Sequence, residues 1–353
     1  MKLTSNPFRG GAAEFEIEEE FPAPSVDVNA VLALLERCPA HAQTPLVESV
    51  DLARDMDVAQ VHVKDERGRM GLGSFKALGA AYVIAHDAQA RGVADMGSAL
   101  AGVTYVTASA GNHGLSVAAG AAVFGARAVV YIAETVPEAF AARLRDKGAD
   151  VVREGAIYED SMAAAERAAE REGWVLLSDS SWPGYVARPY RLMQGYLALM
   201  AEVFTQIPTP PSHIFLQAGV GGLAGSCAAI ARRTWGDAPR IIVVEPAAAP
   251  ALEASIRAGQ FVISSGPSSA MGRLDCKEAS RIALKGLAQD ADGFALISEE
   301  EAQAAVERLA ELGITSTPSG AAGIAGLLSG DRADLGLSQT SRVLVILSEG
   351  PET

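Results

Sequence analysis

Cysteine is the first scarcity. Only Cys38, Cys227 and Cys276 occur in 353 residues, with no C-x-x-C pair, and so sparse and odd a set excludes a disulfide framework and reads as reduced thiols. Long apolar runs are missing as well: nowhere do about twenty apolar residues stand together, which excludes a membrane-spanning helix. The opening stretch MKLTSNPFRGGAAEFEIEEE lacks the apolar centre of a signal peptide, and the expectation is a cytoplasmic protein. Positive charge is short too. With 29 Lys and Arg against 43 Asp and Glu the formal net charge is −14, so no basic face is available for a phosphate backbone or an anionic membrane, and neither nucleic acid nor membrane is expected as a partner. Repeats of roughly 20–50 residues and low-complexity tracts are also absent.

Apolar residues are abundant, at 49% of the chain, enough for a large core and, at this length, for one body of two lobes. After an acidic, proline-bearing start, short β-branched runs alternate with longer alanine-rich stretches, the signature of parallel α/β construction. Strands are predicted at Val61–Lys64, Val103–Thr107, Ala128–Ile132, Asp150–Arg153, Val175–Ser178, His213–Gln217, Arg240–Val244, Ala295–Ile297 and Arg342–Leu347. Helices are predicted at Ser74–Ala90, His113–Phe124, Pro137–Lys147, Asp160–Glu172, Pro189–Phe204 and Glu299–Leu312. The last is signalled by Ser298 with Glu301 three positions on, a pair that caps a helix start reciprocally. Pro208-Thr209-Pro210-Pro211 supports neither a helix nor a central strand and reads as the return from one lobe to the other.

Four segments can carry chemistry. Gly71-Leu72-Gly73-Ser74-Phe75-Lys76-Ala77-Leu78-Gly79 puts Lys76 in the first turn of a helix, near the positive dipole end that favours the neutral amine a Schiff base needs. Alone, it is equally a surface lysine. Thr107-Ala108-Ser109-Ala110-Gly111-Asn112-His113-Gly114 follows an apolar strand and opens a helix, an arrangement that binds an anion such as a substrate carboxylate or serves as a plain glycine turn. His113 there suits packing at least as well as acid–base work and is not taken as the base. Gln217-Ala218-Gly219-Val220-Gly221-Gly222-Leu223-Ala224-Gly225 is a strand, a glycine turn and a helix start, hence a phosphate cradle. It also satisfies G-x-G-x-x-A, and Glu245 ends the next strand, which keeps an NAD-dependent dehydrogenase open; against that reading, more than half the chain precedes the motif. Finally, the apolar strand Val343-Leu344-Val345-Ile346-Leu347 delivers the Ser348 hydroxyl at its carboxyl end, where open α/β sheets place their crevice.

Together and in this order, SFKALGA, SAGNHG, GVGGLAG and LSEG resemble the fold-type-II pyridoxal-phosphate enzymes, the group of threonine dehydratase, cysteine synthase and tryptophan synthase β chains. Asn6-Pro7-Phe8, Thr44-Pro45-Leu46, Val63-Lys64-Asp65-Glu66, Leu274-Asp275-Cys276 and above all Trp182-Pro183-Gly184-Tyr185 with Met193-Gln194-Gly195-Tyr196 extend the similarity to diaminopropionate ammonia-lyase over nearly the whole chain. The resemblance implies two-lobed open parallel sheets with helices on both faces. Residues 1–82 plus 199–353 would form the large cofactor-binding lobe and 83–198 a smaller mobile one. It further implies pyridoxal 5′-phosphate held by Lys76 as a Schiff base beside Phe75, its 3′-oxygen met by Asn112, its phosphate by Gly219, Val220, Gly221, Gly222 and Leu223, and its pyridine nitrogen by Ser348. A neutral hydroxyl there leaves the ring a weaker electron sink, which suits elimination more than transamination. Ser109, Ala110, Gly111, His113 and Tyr185 would line the substrate, and Asp179 would hold its distal end.

The activity so implied is α,β-elimination from an amino acid of the 2,3-diaminopropionate type, giving a 2-oxo acid and ammonia in a homodimeric enzyme without assigned metal ligands. Lys76 would remove the α-proton. Three departures from the family pattern fall near the expected substrate: Ala110 where the family has aspartate, Thr317 where the group has glutamate before Pro-Ser-Gly, and Lys277 where the family has glycine. Ser-Ala-Gly-Asn-His-Gly is the form seen in serine and threonine dehydratases, so elimination from a β-hydroxy amino acid such as serine, threonine, hydroxyaspartate or phenylserine is the rival reading. An alanine methyl takes no proton, so Ala110 also predicts preference for L-substrates, whose α-hydrogen faces Lys76.

Overall fold

The run Arg342–Leu347 is apolar after its first residue because it lies at the middle of a sheet covered on both sides, as parallel strands in α/β proteins are. The computed structural model describes residues 1–351. Eleven strands form two sheets: β1 (Lys2–Ser5), β2 (Leu46–Glu48), β3 (Gln60–Asp65), β4 (Thr104–Ala108), β5 (Arg127–Ile132), β6 (Ala149–Arg153), β7 (Val175–Leu176), β8 (His213–Gln217), β9 (Arg240–Pro246), β10 (Gly293–Ile297) and β11 (Arg342–Leu347). The larger sheet runs β1-β10-β9-β8-β11-β3-β2 and the smaller β6-β5-β4-β7. Every pairing is parallel except at the two edges of the larger sheet, where β1 runs against β10 and β2 against β3. The sequence pattern missed both edge strands. They are four and three residues long, half polar, and strands only by virtue of the neighbour they pair with.

Thirteen α-helices connect and cover the sheets. The first seven are α1 (Asn29–Leu35), α2 (Val50–Asp55), α3 (Lys76–Ala90), α4 (Asn112–Val123), α5 (Glu138–Asp146), α6 (Tyr158–Glu172) and α7 (Ala187–Gln206). The rest are α8 (Gly222–Trp235), α9 (Ala251–Ala258), α10 (Arg281–Asp290), α11 (Glu299–Glu311), α12 (Pro318–Ser329) and α13 (Arg332–Leu335). Strand alternation sorts the core. Ile214, Leu216, Ile241, Val243, Leu344 and Ile346 join one cluster with α3, α7, α8 and α10, while Phe215, Ile242, Val244, Val343 and Val345 join another with α2, α11 and α12. Both lobe boundaries expected from sequence fall inside helices, at α3 and α7, and these two pack on each other. Glycine makes that contact possible. A Cβ on Gly79 would lie 2.7 Å from the Tyr196 ring, and one on Gly195 would lie 2.3 Å from the Leu78 carbonyl oxygen.

A buried ion cluster fixes the approach to Lys76. Lys64, Glu66 and Arg69 are wholly inaccessible and Glu202 nearly so. Lys64 donates to Glu202 at 2.6 Å, to Gln206 at 2.9 Å and to the Thr44 carbonyl at 2.8 Å, and Arg69 donates to Glu66 at 2.7 Å and Glu202 at 2.6 Å. Burial of charge is tolerated only with such complete pairing. The cluster ties β3 and the turn after it to α7. Among the described residues no helix is long and apolar enough to cross a membrane.

Candidate active site

Four chain segments meet at the carboxyl ends of parallel strands, the crevice position of open α/β sheets. After β3, Arg69 anchors a turn in which Met70 takes a left-handed conformation (φ 50°), followed by Gly71 and Gly73 at positive φ. The chain is then pinned to the end of β11: the Gly350 amide donates to Gly73 O at 3.0 Å and the Phe75 amide to Ser348 O at 3.1 Å. Lys76 opens α3 directly afterwards.

Sequence separation of 103 residues notwithstanding, the Lys76 ammonium contacts the Asp179 carboxylate. The dipole of α3 alone favours a neutral amine, but here Asp179 decides. Burial would lower the Lys76 pKa, yet the Asp179 charge outweighs it and holds the group charged, above the ordinary lysine range. Burial would likewise raise Asp179, and Lys76 followed by His113 outweigh it, so Asp179 lies well below the usual carboxylate range. Tyr196 stands beside the pair, its hydroxyl buried without a formed hydrogen bond and its ring edge-on to Phe75 at 5.0 Å.

The loop between β8 and α8 is a cradle lined by backbone. Gly221 sits at φ 95°, and a Cβ there would meet Ala283 and Leu252 at 3.1 Å; one on Gly219 would meet Cys276 Sγ at 3.1 Å. No side chain caps α8, although Gly222 and Leu223 are buried. Helix α4 starts the same way, on Gly111 with no capping side chain. Two other helix starts borrow caps: Glu245 accepts from the amides of Leu252 and Glu253 at the start of α9, and Ser181 Oγ accepts from Ile282 at the start of α10. Uncapped, buried helix starts collect amide donors and positive dipole, the requirements of an anion site.

The other residues singled out from sequence fall as follows. The Ser109 hydroxyl accepts from the Gly111 amide at 3.3 Å, inside the loop that also holds Ala110. Asn112 donates to Glu349. His113 is buried and its Nε2 lies 2.8 Å from the Leu177 carbonyl, to which it donates; burial lowers its pKa. The Tyr185 hydroxyl donates to Leu176 O at 2.9 Å and accepts from the Ser178 amide at 3.0 Å, while its ring stacks on Trp182. Ser348 is buried at the end of β11, the sheet neighbour of β8, whose carboxyl end leads into the Val220-Gly221 turn. Of the departures, the Thr317 hydroxyl caps α12 through the Gly320 amide and donates to Glu349. Lys277 is engaged by Asp275 at 2.6 Å and by the carbonyls of Ala248 and Pro267, so it ties its own loop together.

Sequence reasoning did not single out Glu349, Arg273 or Cys276 as site residues. Glu349, buried, gathers Asn112, Thr317 and, at 3.8 Å, Arg273. Cys276 lies against Gly219, and burial pushes its thiol up to about 12. These come from two distant segments, and only the hydroxyl-Glu-Gly ending of β11 offered a local signal.

An anion cradle, a lysine opening the facing helix and a hydroxyl at the end of the central strand define a class. The chain matches the family model described as "Pyridoxal-phosphate dependent enzyme" over residues 38–349 and belongs to that family. Its relatives include diaminopropionate ammonia-lyase of Salmonella typhimurium, 35% identical over 234 residues, covering 61% of this chain and 58% of that protein. The Escherichia coli K12 enzyme of the same name is 33% identical over 202 residues, covering 54% and 51%; the match thus spans little more than half the length of these relatives. Human L-serine dehydratase/L-threonine deaminase is 27% identical over 275 residues, covering 77% of this chain and 78% of that protein. The crystal structure of Escherichia coli diaminopropionate ammonia lyase in complex with an aminoacrylate-PLP azomethine reaction intermediate superposes with a TM-score of 0.88, at 27% identity, over 99% of this chain and 93% of that one.

Pyridoxal phosphate fits the residues present. The cradle at Gly219–Gly222 has no room for a Cβ at Gly219 or Gly221, and the uncapped start of α8 supplies donors for a phosphate. The dehydrogenase reading falls with this assignment. Its acid, Glu245, is fully buried and occupied by the start of α9.

Proposed function

We propose that this protein is an ammonia-lyase that eliminates the β-substituent of an amino acid, a 2,3-diaminopropionate-type substrate being preferred, and releases a 2-oxo acid and ammonia. The observation that carries the reading is the Lys76–Asp179 pair between two open helix starts. When bound, pyridoxal phosphate supplies the electron sink that makes the α-proton removable. Lys76 would hold the cofactor and, as a free amine, would take the α-proton. The amides of Gly219 to Leu223 would hold its phosphate, Phe75 would flank it, and Ser348 would offer its ring nitrogen a neutral hydroxyl. Asn112, which here donates to Glu349, would meet the 3′-oxygen. The Ser109–Gly111 loop and the start of α4 receive the α-carboxylate, while Asp179 holds a β-ammonium and orients it for departure. His113 and Tyr185 support these walls from behind through their bonds to backbone.

Elimination from a β-hydroxy amino acid is the second reading, favoured by Ala110 and by the similarity to serine and threonine dehydratases. The proposal includes a cytoplasmic homodimer, in keeping with three unpaired cysteines and with two-fold dimers as the commonest assembly. Ammonia and 2-oxo acid release is to be measured across L- and D-forms of 2,3-diaminopropionate, serine and threonine. Release from 2,3-diaminopropionate above the others, with L over D, is the expected result. Release from the hydroxy amino acids alone moves the assignment to the second reading, and release from none overturns both.

A further inference from the structure

The cleft beside the start of α4 carries charge of the sign this chain has least of. The sequence bears −14 overall, yet the cleft between Gly71–Gly73 and α5 is lined by Arg143, Lys147 and Arg273 against Asp146 and Glu349. Arg273 is the one that crosses the crevice. Its backbone belongs to the cradle wall: its carbonyl oxygen would stand 3.2 Å from a Cβ on Gly219, and its amide donates to Ser319 Oγ at 3.1 Å. Its side chain reaches the opposite wall, where a Cβ on Gly111 would meet Nε at 3.0 Å and Cζ at 3.2 Å. The guanidinium also lies over the Phe140 ring, 5.7 Å from its centre, and 3.8 Å from Glu349.

An α-carboxylate already has the open start of α4 to meet it. A guanidinium laid against Gly111 adds a second cationic group one side chain further out, and its planar fork suits a carboxylate. We propose that Arg273 makes this site favour, among diaminopropionate-type and β-hydroxy amino acids, those that also carry a second carboxylate on the β-carbon, beside the leaving amine or hydroxyl. The leaving group then points to Asp179 and the second carboxylate to Arg273. For the reaction this rests on the elimination reading; for the selectivity it rests on Arg273. The Cα–H bond breaks with its proton taken by Lys76, its electron pair forms the Cα=Cβ bond, and the Cβ–N or Cβ–O bond breaks with its pair on the leaving group, which departs as ammonia from a β-ammonium or, on receiving the proton held by Lys76, as water from a hydroxyl. Water then replaces the α-nitrogen, releasing ammonia and a dicarboxylic 2-oxo acid.

The test uses the pyridoxal-phosphate-loaded protein and binding as well as turnover. L-Aspartate has the second carboxylate and no leaving group, and L-alanine lacks both; each is titrated against the cofactor's visible band in the native protein, Arg273→Gln and Arg273→Lys. Aspartate is expected to bind the native protein more tightly than alanine. Arg273→Gln is expected to weaken aspartate about 10- to 100-fold, the range of one charge-assisted pair, and alanine by less than about 3-fold, with Arg273→Lys in between. The kcat/KM for 3-hydroxyaspartate relative to serine should fall in parallel. Equal losses for both ligands, no loss for either, or a native preference for alanine overturns the assignment of Arg273. If aspartate alone is weakened while no amino acid is turned over, the selectivity stands and the elimination reading falls.

Discussion

Helices α8 and α10 pack side by side and both begin at buried positions, yet their first turns are finished differently. The start of α10 is closed by Ser181, whose hydroxyl takes the Ile282 amide at 3.0 Å, and that of its neighbour α9 by the Glu245 carboxylate. The start of α8 is left to glycine. An unsatisfied amide in the interior costs about 1–3 kcal/mol, so a helix start left open inside a protein marks where an external anion is to bind, whereas a closed one is there for the fold alone. The same contrast separates α4, opening on Gly111, from α11, where Ser298 and Glu301 cap each other reciprocally.

Substitutions at the two kinds of helix start should therefore be read out differently. Gly221→Asp places a side chain at φ 95° against Ala283 and Leu252 and sets a negative charge facing the phosphate. Cofactor affinity should fall by on the order of 100-fold, measured by titration of the visible band, with a smaller change in melting temperature. An equal affinity in this variant would move the phosphate elsewhere.

Closed starts should show the reverse, a change in stability with cofactor affinity intact. Burial pushes Glu245 up to about 8, above the roughly 4.3 of an unfolded chain. The unfolded chain thus loses this proton first, so the Glu245 contribution favours folding at low pH, declines as pH rises from about 4.3 to about 8, and is flat beyond. Glu245→Gln should remove that slope from the pH dependence of denaturant midpoints, and an unchanged slope would show that the burial of this carboxylate does not govern its titration. The smallest effect is expected at α11, where Ser298→Ala costs about 1 kcal/mol and leaves cofactor affinity unaltered; a loss of affinity there would blur the distinction between the two kinds of start.

This contrast also separates what local sequence could reveal from what it could not. Strands β8 and β11 have the bounds their apolar runs predict, and the Ser298–Glu301 box is present, since each is written in consecutive residues. The glycine cradle and the position of Lys76 at a helix start were legible for the same reason. Strands β1 and β2 were not, because partners far along the chain make them strands. Nor was the convergence of Asn112, Arg273, Thr317 and Glu349, which four loops bring together with no shared motif. Lys76 was expected neutral from the dipole of its helix, but a carboxylate 103 residues away reverses that balance. Lys277 and Tyr185, placed near the substrate from sequence, turn out to be tied to backbone carbonyls or amides.

The central claim is that Lys76, facing the open start of α8, carries the cofactor. Borohydride reduction of the pyridoxal-phosphate-loaded protein, followed by peptide mapping, tests it directly. The added mass is expected on Lys76, with no fixed label in Lys76→Ala and elimination lowered at least about 10³-fold in that variant. Label on another lysine of the native protein, or a Lys76→Ala variant that keeps both its reducible chromophore and its turnover, would contradict it.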